Sequence, residues 1–301
     1  MTTARPFRFG VVTAQARSGE EWAARARQIE SMGYSTLLMP DGLRYSSLAP
    51  LPALAAAAMT TRSLRVGTYV LANDYRNPVL LAKEAATLDV VSDGRFELGI
   101  GAGRPGAAED NRMLGVPFES GGARVAALAE SLALIKSLLA GETVTATGPR
   151  YAATAAEIMP RPLQQPHPPL LIAGSGRRLL SLAAREADIV AIGMPPMEPE
   201  AKFSERVGWL REAAGARFDQ LELNITVMAV GEQVPRWVER QLGVTAGELA
   251  RSGTVAALFG TADQMCETLL KRRETLGISY IAVSDEMMEA LAPVVDRLSG
   301  H

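Results

Sequence analysis

The chain repeats one pattern, a short run of apolar and β-branched residues followed by a stretch with helical periodicity. Eight such runs occur, at 7–12, 36–39, 64–70, 96–100, 170–173, 189–192, 221–230 and 280–283. The first four are centred about 30 residues apart, which is the length of one βα unit. Strict alternation predicts a parallel sheet, and eight repeats favour a closed TIM (β/α)8 barrel with insertions over an open, doubly wound sheet.

Residues at the predicted helix starts agree with this alternation. Asn77 and Pro78 are typical of the N-cap and the first position of a helix. In a capping box, a Ser or Thr precedes a Glu or Gln by three residues. Three such boxes are predicted, at Ser18/Glu21, Thr245/Glu248 and Thr261/Gln264.

The chain is long enough for one α/β barrel or for two smaller domains, at 301 residues. No charge run or Gly/Ser linker divides it, and the repeat resumes after the proline-rich stretch 141–169. We therefore expect residues 1–301 to form a single barrel domain with an insertion at about 141–169. A second insertion, of loop or helix, is expected at about 231–260.

Composition excludes several function classes. With 31 basic and 33 acidic residues, the chain has no basic field for nucleic acid or anionic lipid. One cysteine, Cys266, and two histidines, His167 and His301, exclude a thiolate metal cluster and disfavour a His-ligated metal or a Ser-His-Asp triad. No stretch of about 20 apolar residues and no secretory signal is found. We expect a cytoplasmic protein that binds neither metal nor membrane.

Residues 101–106 (GAGRPG) match the dinucleotide-binding fingerprint G-x-G-x-x-G letter for letter. They follow the fourth predicted strand rather than the first, and Pro105 interrupts the position where a helix would begin. No strand ends in an acidic residue about 20 positions later, as ribose recognition requires. A Rossmann fold is therefore the second choice.

In a barrel, functional residues gather where the strands end. The second predicted strand ends at Asp41, which either accepts a ligand hydrogen bond or positions a proton, or is a turn residue before Gly42. The third runs into 68–76 (TYVLANDYR). This loop either walls an aromatic ligand or is an ordinary connection in which Arg76 pairs with Asp74.

Two small-residue segments follow the next strands. The fourth predicted strand ends in Gly99, Gly101, Gly103 and Gly106, where the lack of side chains lets a ring or chain approach the backbone closely. A tight turn that needs positive φ would explain one or two of these glycines but not four. At 174–178 (GSGRR) a helix begins, and its free backbone N–H groups and arginines favour a bound phosphate over a plain N-cap. An aromatic ligand that carries a phosphate indicates a flavin-like cofactor.

Several blocks of the chain together resemble the luciferase-like monooxygenase superfamily, and more narrowly its oxidoreductases that depend on the deazaflavin coenzyme F420. These blocks are 37–41 (LLMPD), 66–70 (VGTYV), 76–78 (RNP), 82–88 (AKEAATL), 92–103 (SDGRFELGIGAG) and 169–188 (PLLIAGSGRRLLSLAAREAD). The resemblance runs in order from about residue 7 to residue 192 and continues weakly to the C-terminus. FMN stays the alternative cofactor, because F420 and FMN subgroups share these blocks.

The resemblance implies a barrel, usually a homodimer, that binds its cofactor at the C-terminal ends of the strands and acts on a small-molecule substrate. It also implies a non-proline cis peptide at or beside Tyr69–Val70, against the tricyclic ring. The implied cofactor-binding residues are Asp41, Tyr69, Val70, Ala72, Asn73, Gly101, Ala102, Gly103, Gly174, Ser175, Gly176 and Arg177.

One departure from the family pattern concerns proton transfer. Many members carry a histidine directly after the acid of the second strand, whereas this chain has Gly42. This argues against the sugar-phosphate dehydrogenase branch, whose mechanism depends on that histidine. The groups left to move a proton are Asp41, Tyr69, Tyr75, Glu109 and water, and among them Asp41, Tyr69 and Glu109 are the candidate catalytic residues.

The leading functional hypothesis is an oxidoreductase that transfers a hydride between C5 of the deazaflavin and an unidentified small organic substrate. The cofactor carries the redox chemistry, and the protein positions the reactants. Reduced deazaflavin has carbon in place of flavin N5 and reacts poorly with oxygen, so reduction is favoured over oxygenation. The alternatives are an FMN-dependent luciferase-like monooxygenase and a non-catalytic flavin- or deazaflavin-binding protein of the same fold.

Overall fold

A computed structural model describes residues 5–44 and 48–301 of the chain. Its strands, numbered in chain order, are β1 (Arg8–Val12), β2 (Thr36–Met39), β3 (Arg65–Thr68), β4 (Leu71–Ala72), β5 (Phe96–Gly101), β6 (Val144–Thr147), β7 (Ala152–Ala156), β8 (Leu170–Gly174), β9 (Ile189–Ile192), β10 (Glu222–Val227), β11 (Ala229–Val230), β12 (Ala257–Leu258) and β13 (Ile278–Ser284). Its α-helices are α1 (Gly19–Ser31), α2 (Pro50–Thr60), α3 (Pro78–Val91), α4 (Ala108–Leu114), α5 (Gly121–Ala140), α6 (Arg177–Glu186), α7 (Glu200–Ala214), α8 (Ala246–Ser252), α9 (Ala262–Leu276) and α10 (Met288–Leu298).

Eight parallel strands close into a barrel and alternate with helices. Neighbouring strands follow the order β3-β2-β1-β13-β10-β9-β8-β5-β4, and β3 also pairs with β5, which closes the sheet. β4 continues β3 after a short break, so the two count as one strand of the barrel. Each of the eight barrel strands counted in this way overlaps one of the eight predicted runs. The prediction of a TIM (β/α)8 barrel is confirmed.

The predicted helix starts are observed, one of them in altered form. Thr245 and Thr261 each form a complete capping box. At the first predicted box, the N–H of Glu21 donates to Ser18 Oγ at 3.1 Å. The Glu21 carboxylate, however, accepts from the N–H of Arg17 at 2.9 Å instead of closing the box on Ser18.

By their contacts, the described residues divide into two compact units. The first unit comprises the chain through Thr13, Arg27–Leu37 and Gly174–His301. The second comprises Ala14–Ala26 and Leu38–Ala173. This division does not decide the number of domains, and the single-domain organisation stays a prediction.

Partly buried charge pairs join elements of the first unit. Arg8 of β1 donates to both carboxylate oxygens of Glu222 of β10, at 2.6 to 3.0 Å. The Arg8 guanidinium also lies 3.8 Å from the ring centre of Tyr280 on β13, a cation–π contact. Arg272 of α9 donates to Glu200 at the start of α7, at 2.9 Å. The least exposed members of these pairs, Arg272 and Glu222, are tolerated away from water because each has a partner of opposite sign.

The second unit contains an irregularity in the ladder between β3–β4 and β5. Gly67 pairs with Glu97, and Leu71 pairs with Ile100. Between these two pairs, residues 68–70 lie opposite residues 98–99 of β5. One strand thus has one residue more than its partner, which is a β-bulge. Thr68 Oγ bridges the gap, because it donates to the carbonyl of Gly99 at 2.7 Å and accepts from its N–H at 2.8 Å.

Both predicted insertions contain secondary structure. Within 141–169, β6 and β7 form an antiparallel hairpin. Near its end, the backbone N–H of Gln164 donates to Asp89 of α3 at 2.9 Å, which ties the insertion to the barrel helix. Within 231–260, a π-helical turn (Val238–Leu242) and α8 precede β12, and β12 pairs with β11.

Gly99 is predicted to be essential for stability. A Cβ at residue 99 would lie 1.9 Å from the backbone oxygen of Thr68, and backbone atoms cannot move aside without breaking the ladder. We expect Gly99→Ala to lower the free energy of unfolding by about 1–3 kcal/mol or more. The measurement is urea denaturation followed by tryptophan fluorescence.

Gly208 provides the matched control for this substitution. It lies within α7, and nothing would approach its Cβ within 4 Å. Gly208→Ala should raise the free energy of unfolding by about 0.5–1 kcal/mol, because alanine loses less conformational entropy in a helix. An equal loss of stability in both variants would contradict the close approach at Gly99.

Candidate functional site

Asp41 follows β2, and both of its carboxylate oxygens are occupied. The Arg76 guanidinium donates to Oδ2 at 2.5 Å and to Oδ1 at 3.3 Å. The N–H of Ala72 donates to Oδ2 at 3.0 Å. Arg76 therefore pairs with Asp41 rather than with Asp74. A bidentate, charge-assisted pair of this kind fixes geometry as well as adding energy, so Asp41 anchors the loop that follows β4.

The peptide bond between Tyr69 and Val70 is cis, and the expectation of a non-proline cis peptide at this place is confirmed. The Tyr69 N–H donates to the carbonyl of Met39 at 2.6 Å. A Cβ at Gly101 would lie 2.9 Å from Val70 Cγ2, and one at Gly99 would lie 3.1 Å from Val70 Cγ1. Val70 therefore packs closely against both glycines, and the approach of a cofactor ring to the turn at Gly101 stays a prediction.

Asn73 begins the loop directly after the Ala72–Gly101 pair of the β4–β5 ladder. Its side chain is almost completely buried, with 2% of the residue exposed. The side-chain Nδ2 donates to the hydroxyl of Tyr151 at 2.9 Å. Within the described part of the chain, Asn73 Oδ1 is buried without a hydrogen-bond partner. A buried polar atom left in this way calls for an explanation such as a bound ligand or water.

The turn after β5 is held by Arg124, a residue that the sequence did not single out. Arg124 Nε donates to the carbonyl of Ala102 at 2.9 Å, and its guanidinium lies 4.1 Å from the ring centre of Phe118. Gly103 has a φ of 75°, a conformation that favours glycine. No local pattern marks Arg124 as a residue of this turn, because the carbonyl of Ala102 to which it donates lies 22 residues earlier in the chain.

Glu109 and Tyr75 are the next candidate groups for proton transfer. Glu109 lies on α4, has a 40% exposed side chain and pairs with Arg112. The hydrogen bond from Arg112 is the main cause that lowers the pKa of Glu109. Burial, followed by the charges of Asp110 and Asp41, raises the pKa of Tyr75 to about 12. The Tyr75 hydroxyl therefore stays protonated at neutral pH and can donate a hydrogen bond.

The predicted phosphate segment lies in the first unit. A Cβ at Gly174 would lie 2.1 Å from Leu179 Cδ2, so this residue must be small. Gly176 is the N-cap of α6, and no side chain caps the helix there. Arg177 is exposed and pairs with Glu212 at 2.9 Å. The uncapped N–H groups of α6 are the arrangement that binds anions at helix N-termini.

The remaining predicted site residues keep their status as predictions. Tyr69 is half-buried, and Ser175 is exposed on the surface of the first unit. Among residues 5–44 and 48–301, no group of three or more His, Cys, Asp and Glu side chains is placed to hold a metal ion. Helices of the length and apolarity needed to span a membrane are absent from the same residues.

Comparison with protein families gives a match over most of the chain. The model of the family described as luciferase-like monooxygenase matches residues 3–234. An F420-dependent glucose-6-phosphate dehydrogenase of Beutenbergia cavernae is 37% identical over 166 residues, which are 53% of this chain and 48% of the relative. The corresponding protein of Nakamurella multipartita is 32% identical over 230 residues, 73% of this chain and 66% of the relative. The matches thus span about half to two thirds of the curated relatives' length.

Comparison with solved structures supports the fold. The coenzyme F420-dependent tetrahydromethanopterin reductase from Methanopyrus kandleri superposes with a TM-score of 0.77. The superposition covers 98% of this chain and 99% of the reductase, at 18% sequence identity. At this identity the likeness establishes a shared architecture.

The two candidate catalytic carboxylates should differ in their effect on stability. Asp41→Asn removes the charge that three donors share, and Arg76, whose side chain is 20% exposed, loses its partner. We expect the free energy of unfolding at pH 7 to fall by about 1–3 kcal/mol, measured by urea denaturation.

Glu109→Gln is the matched comparison for Asp41→Asn. Glu109 forms a surface pair with Arg112 on the same helix, and exposed pairs contribute little. Its removal should leave the free energy of unfolding unchanged within error. Equal losses for the two substitutions would mean that Asp41 does not anchor the loop.

Proposed function

The chain belongs to the luciferase-like monooxygenase family, and from this we propose that it is an oxidoreductase that transfers a hydride between coenzyme F420 and a small organic substrate. The curated relatives named as F420-dependent dehydrogenases support this choice of cofactor. Within the structure, the proposal rests on Asn73, a buried amide with an unpartnered polar atom in the loop that Asp41 anchors.

Several of the predicted residues have a definite part in this proposal. When bound, coenzyme F420 supplies two-electron hydride chemistry at C5 of its deazaflavin. Asp41 holds the loop of Ala72 and Asn73 in place, and Asn73 offers an amide to the cofactor. The N-terminus of α6 with Gly174, Ser175, Gly176 and Arg177 provides N–H groups and a cation for a phosphate. Tyr69, Tyr75 and water remain the groups that exchange hydrogen bonds or protons with the substrate.

The relatives' substrate does not carry over with their cofactor. Gly42 stands where the resembling enzymes use a histidine next to the strand-2 acid. In this proposal Asp41 anchors the loop rather than serving in place of that histidine, because its oxygens already accept from Arg76 and Ala72. We therefore leave the substrate as a small organic molecule and do not propose a sugar phosphate.

Cofactor choice is tested by titrating the purified protein with F420 and, separately, with FMN, while binding is monitored by fluorescence quenching. We expect saturable binding of F420 in the micromolar range and none of FMN. Binding of FMN without F420 would overturn the proposed cofactor and favour the monooxygenase alternative. Tight binding of F420 without turnover on unsaturated carbonyls or quinones would favour a non-catalytic binding protein.

Gly176→Asp tests the phosphate segment in the same titration. A carboxylate at the N-cap of α6 places a negative charge where the phosphate is proposed to bind, and we expect F420 binding to be abolished. Gly176→Ala is the control, since nothing lies within 4 Å of the added Cβ, and its affinity should stay close to that of the wild type. Unchanged affinity of Gly176→Asp would refute this segment as the phosphate site.

We also propose that the protein is a homodimer that associates through α2. This helix (PLPALAAAAMT) has no charged residue. Pro52, Ala56 and Met59 are nevertheless exposed on it, Met59 to 72%. The spacing of these residues by four and three positions places them on one face of the helix, and an exposed apolar face is the kind of surface through which proteins associate.

Light scattering after size exclusion tests the dimer. We expect a mass twice the 32.0 kDa of one chain, and a monomer for Met59→Glu, because a charge would be buried without a partner. Met159, 66% exposed in the insertion, provides the control, and Met159→Glu should remain dimeric. A monomeric wild type, or a dimeric Met59→Glu, would reject this interface.

A further inference from the structure

The hairpin of β6 and β7 is fixed to the barrel helix α5 at its turn. Glu130 of α5 accepts hydrogen bonds from the backbone N–H groups of Tyr151, at 2.8 Å, and Arg150, at 3.3 Å. A Cβ at Gly148 would lie 1.7 Å from Glu130 Oε1, so only glycine lets the turn close around this carboxylate. Arg150 also forms an ion pair with Glu119. The hairpin turn is therefore held in one position by charged and backbone contacts.

This position brings the hydroxyl of Tyr151 to Asn73. The two residues are 78 positions apart in the chain, and Asn73 Nδ2 donates to the Tyr151 hydroxyl at 2.9 Å. Burial raises the pKa of Tyr151, opposed in part by the hydrogen bond from Asn73. The hydroxyl is thus a neutral partner that fixes the amide without adding charge.

The amide of Asn73 has a second polar atom that the described residues do not satisfy. As placed, this atom is Oδ1, buried and without a hydrogen bond. Turning the amide over would exchange the two atoms, since the Tyr151 hydroxyl can donate as well as accept. In either orientation one polar atom is left, and such an atom is costly unless something binds it.

We propose that Tyr151 is a positioning residue, which holds the Asn73 amide so that its second polar atom bonds an N–H or C=O group of the cofactor. This inference rests on the proposed function. A side-chain amide can donate to a C=O group or accept from an N–H group. The pyrimidine ring of deazaflavins and flavins contains an N–H group next to a C=O group, so it can bond the amide in either orientation. Asn73 directly follows the pair Ala72–Gly101 at the ends of β4 and β5. The proline-rich insertion, which the sequence showed only as an interruption, then acts as a support for the site.

The test is a double-mutant cycle on the binding of F420, with affinity measured by fluorescence quenching. Asn73→Ala should raise the Kd of F420 about tenfold or more, the loss expected for one hydrogen bond to a buried group. Tyr151→Phe, which removes only the hydroxyl, should raise the Kd about threefold to tenfold. The double variant should bind no more weakly than Asn73→Ala alone, because Tyr151 acts through Asn73.

Tyr34→Phe is the matched control. The Tyr34 hydroxyl donates to the carbonyl of Met288 at 2.7 Å and is buried within the first unit. Its loss should lower thermal stability as Tyr151→Phe does, but should leave the Kd of F420 unchanged.

Three outcomes are distinguishable. If wild type binds F420 and Tyr151→Phe binds it equally well, Tyr151 serves stability only and this inference fails while the proposed function stands. If the effects of the two substitutions add, Tyr151 does not act through Asn73, and the inference also fails. If wild type binds neither F420 nor FMN, both the proposed function and this inference are overturned.

Discussion

The close approach between Thr68 and Gly99 is the contact on which the rest of the second unit depends. It lies on the ladder that closes the barrel, between β3 and β5, at the point where one segment contains an extra residue. There the Thr68 hydroxyl both donates to the carbonyl of Gly99 and accepts from its N–H, so a side chain links the two strands across the bulge. A bulge at this place bends the strand, and everything that follows, from Tyr69 to Arg76, leaves the sheet from there.

The anchored loop follows from this bulge. After the bulge, β4 pairs with β5, and the N–H of Ala72 donates to the carboxylate of Asp41. The Arg76 guanidinium donates to the same carboxylate. Asp41 thus joins the end of β2 to both ends of the loop. Asn73 lies between these two attachments, and its amide is additionally held by the insertion hairpin through Tyr151. The position of this one amide is therefore determined by three separate parts of the second unit.

The sequence predicted the barrel well because its strands and helix starts are local patterns. The run 189–192, for instance, coincides with β9, and Thr261 with Gln264 forms the predicted capping box. Partners across the fold were not predictable in this way. Arg76 pairs with Asp41 rather than with nearby Asp74, and Tyr151 reaches Asn73 across 78 positions. The contact of Gly99 and Gly101 with Val70 is likewise a tertiary feature, which the glycine-rich sequence alone does not specify.

Three of the candidate groups for proton transfer are poorly suited to removing a proton from a substrate. The oxygens of Asp41 are occupied by Arg76 and Ala72, and the Glu109 carboxylate is engaged by Arg112 at the surface. Tyr75, whose pKa is raised to about 12, keeps its proton. Oxidation of an alcohol requires a base that takes the hydroxyl proton. Reduction instead places negative charge on the substrate oxygen, which hydrogen-bond donors stabilise until water supplies the proton. Within the proposed function, these three groups therefore suit reduction of the substrate better than its oxidation, and Gly42 provides no base beside Asp41.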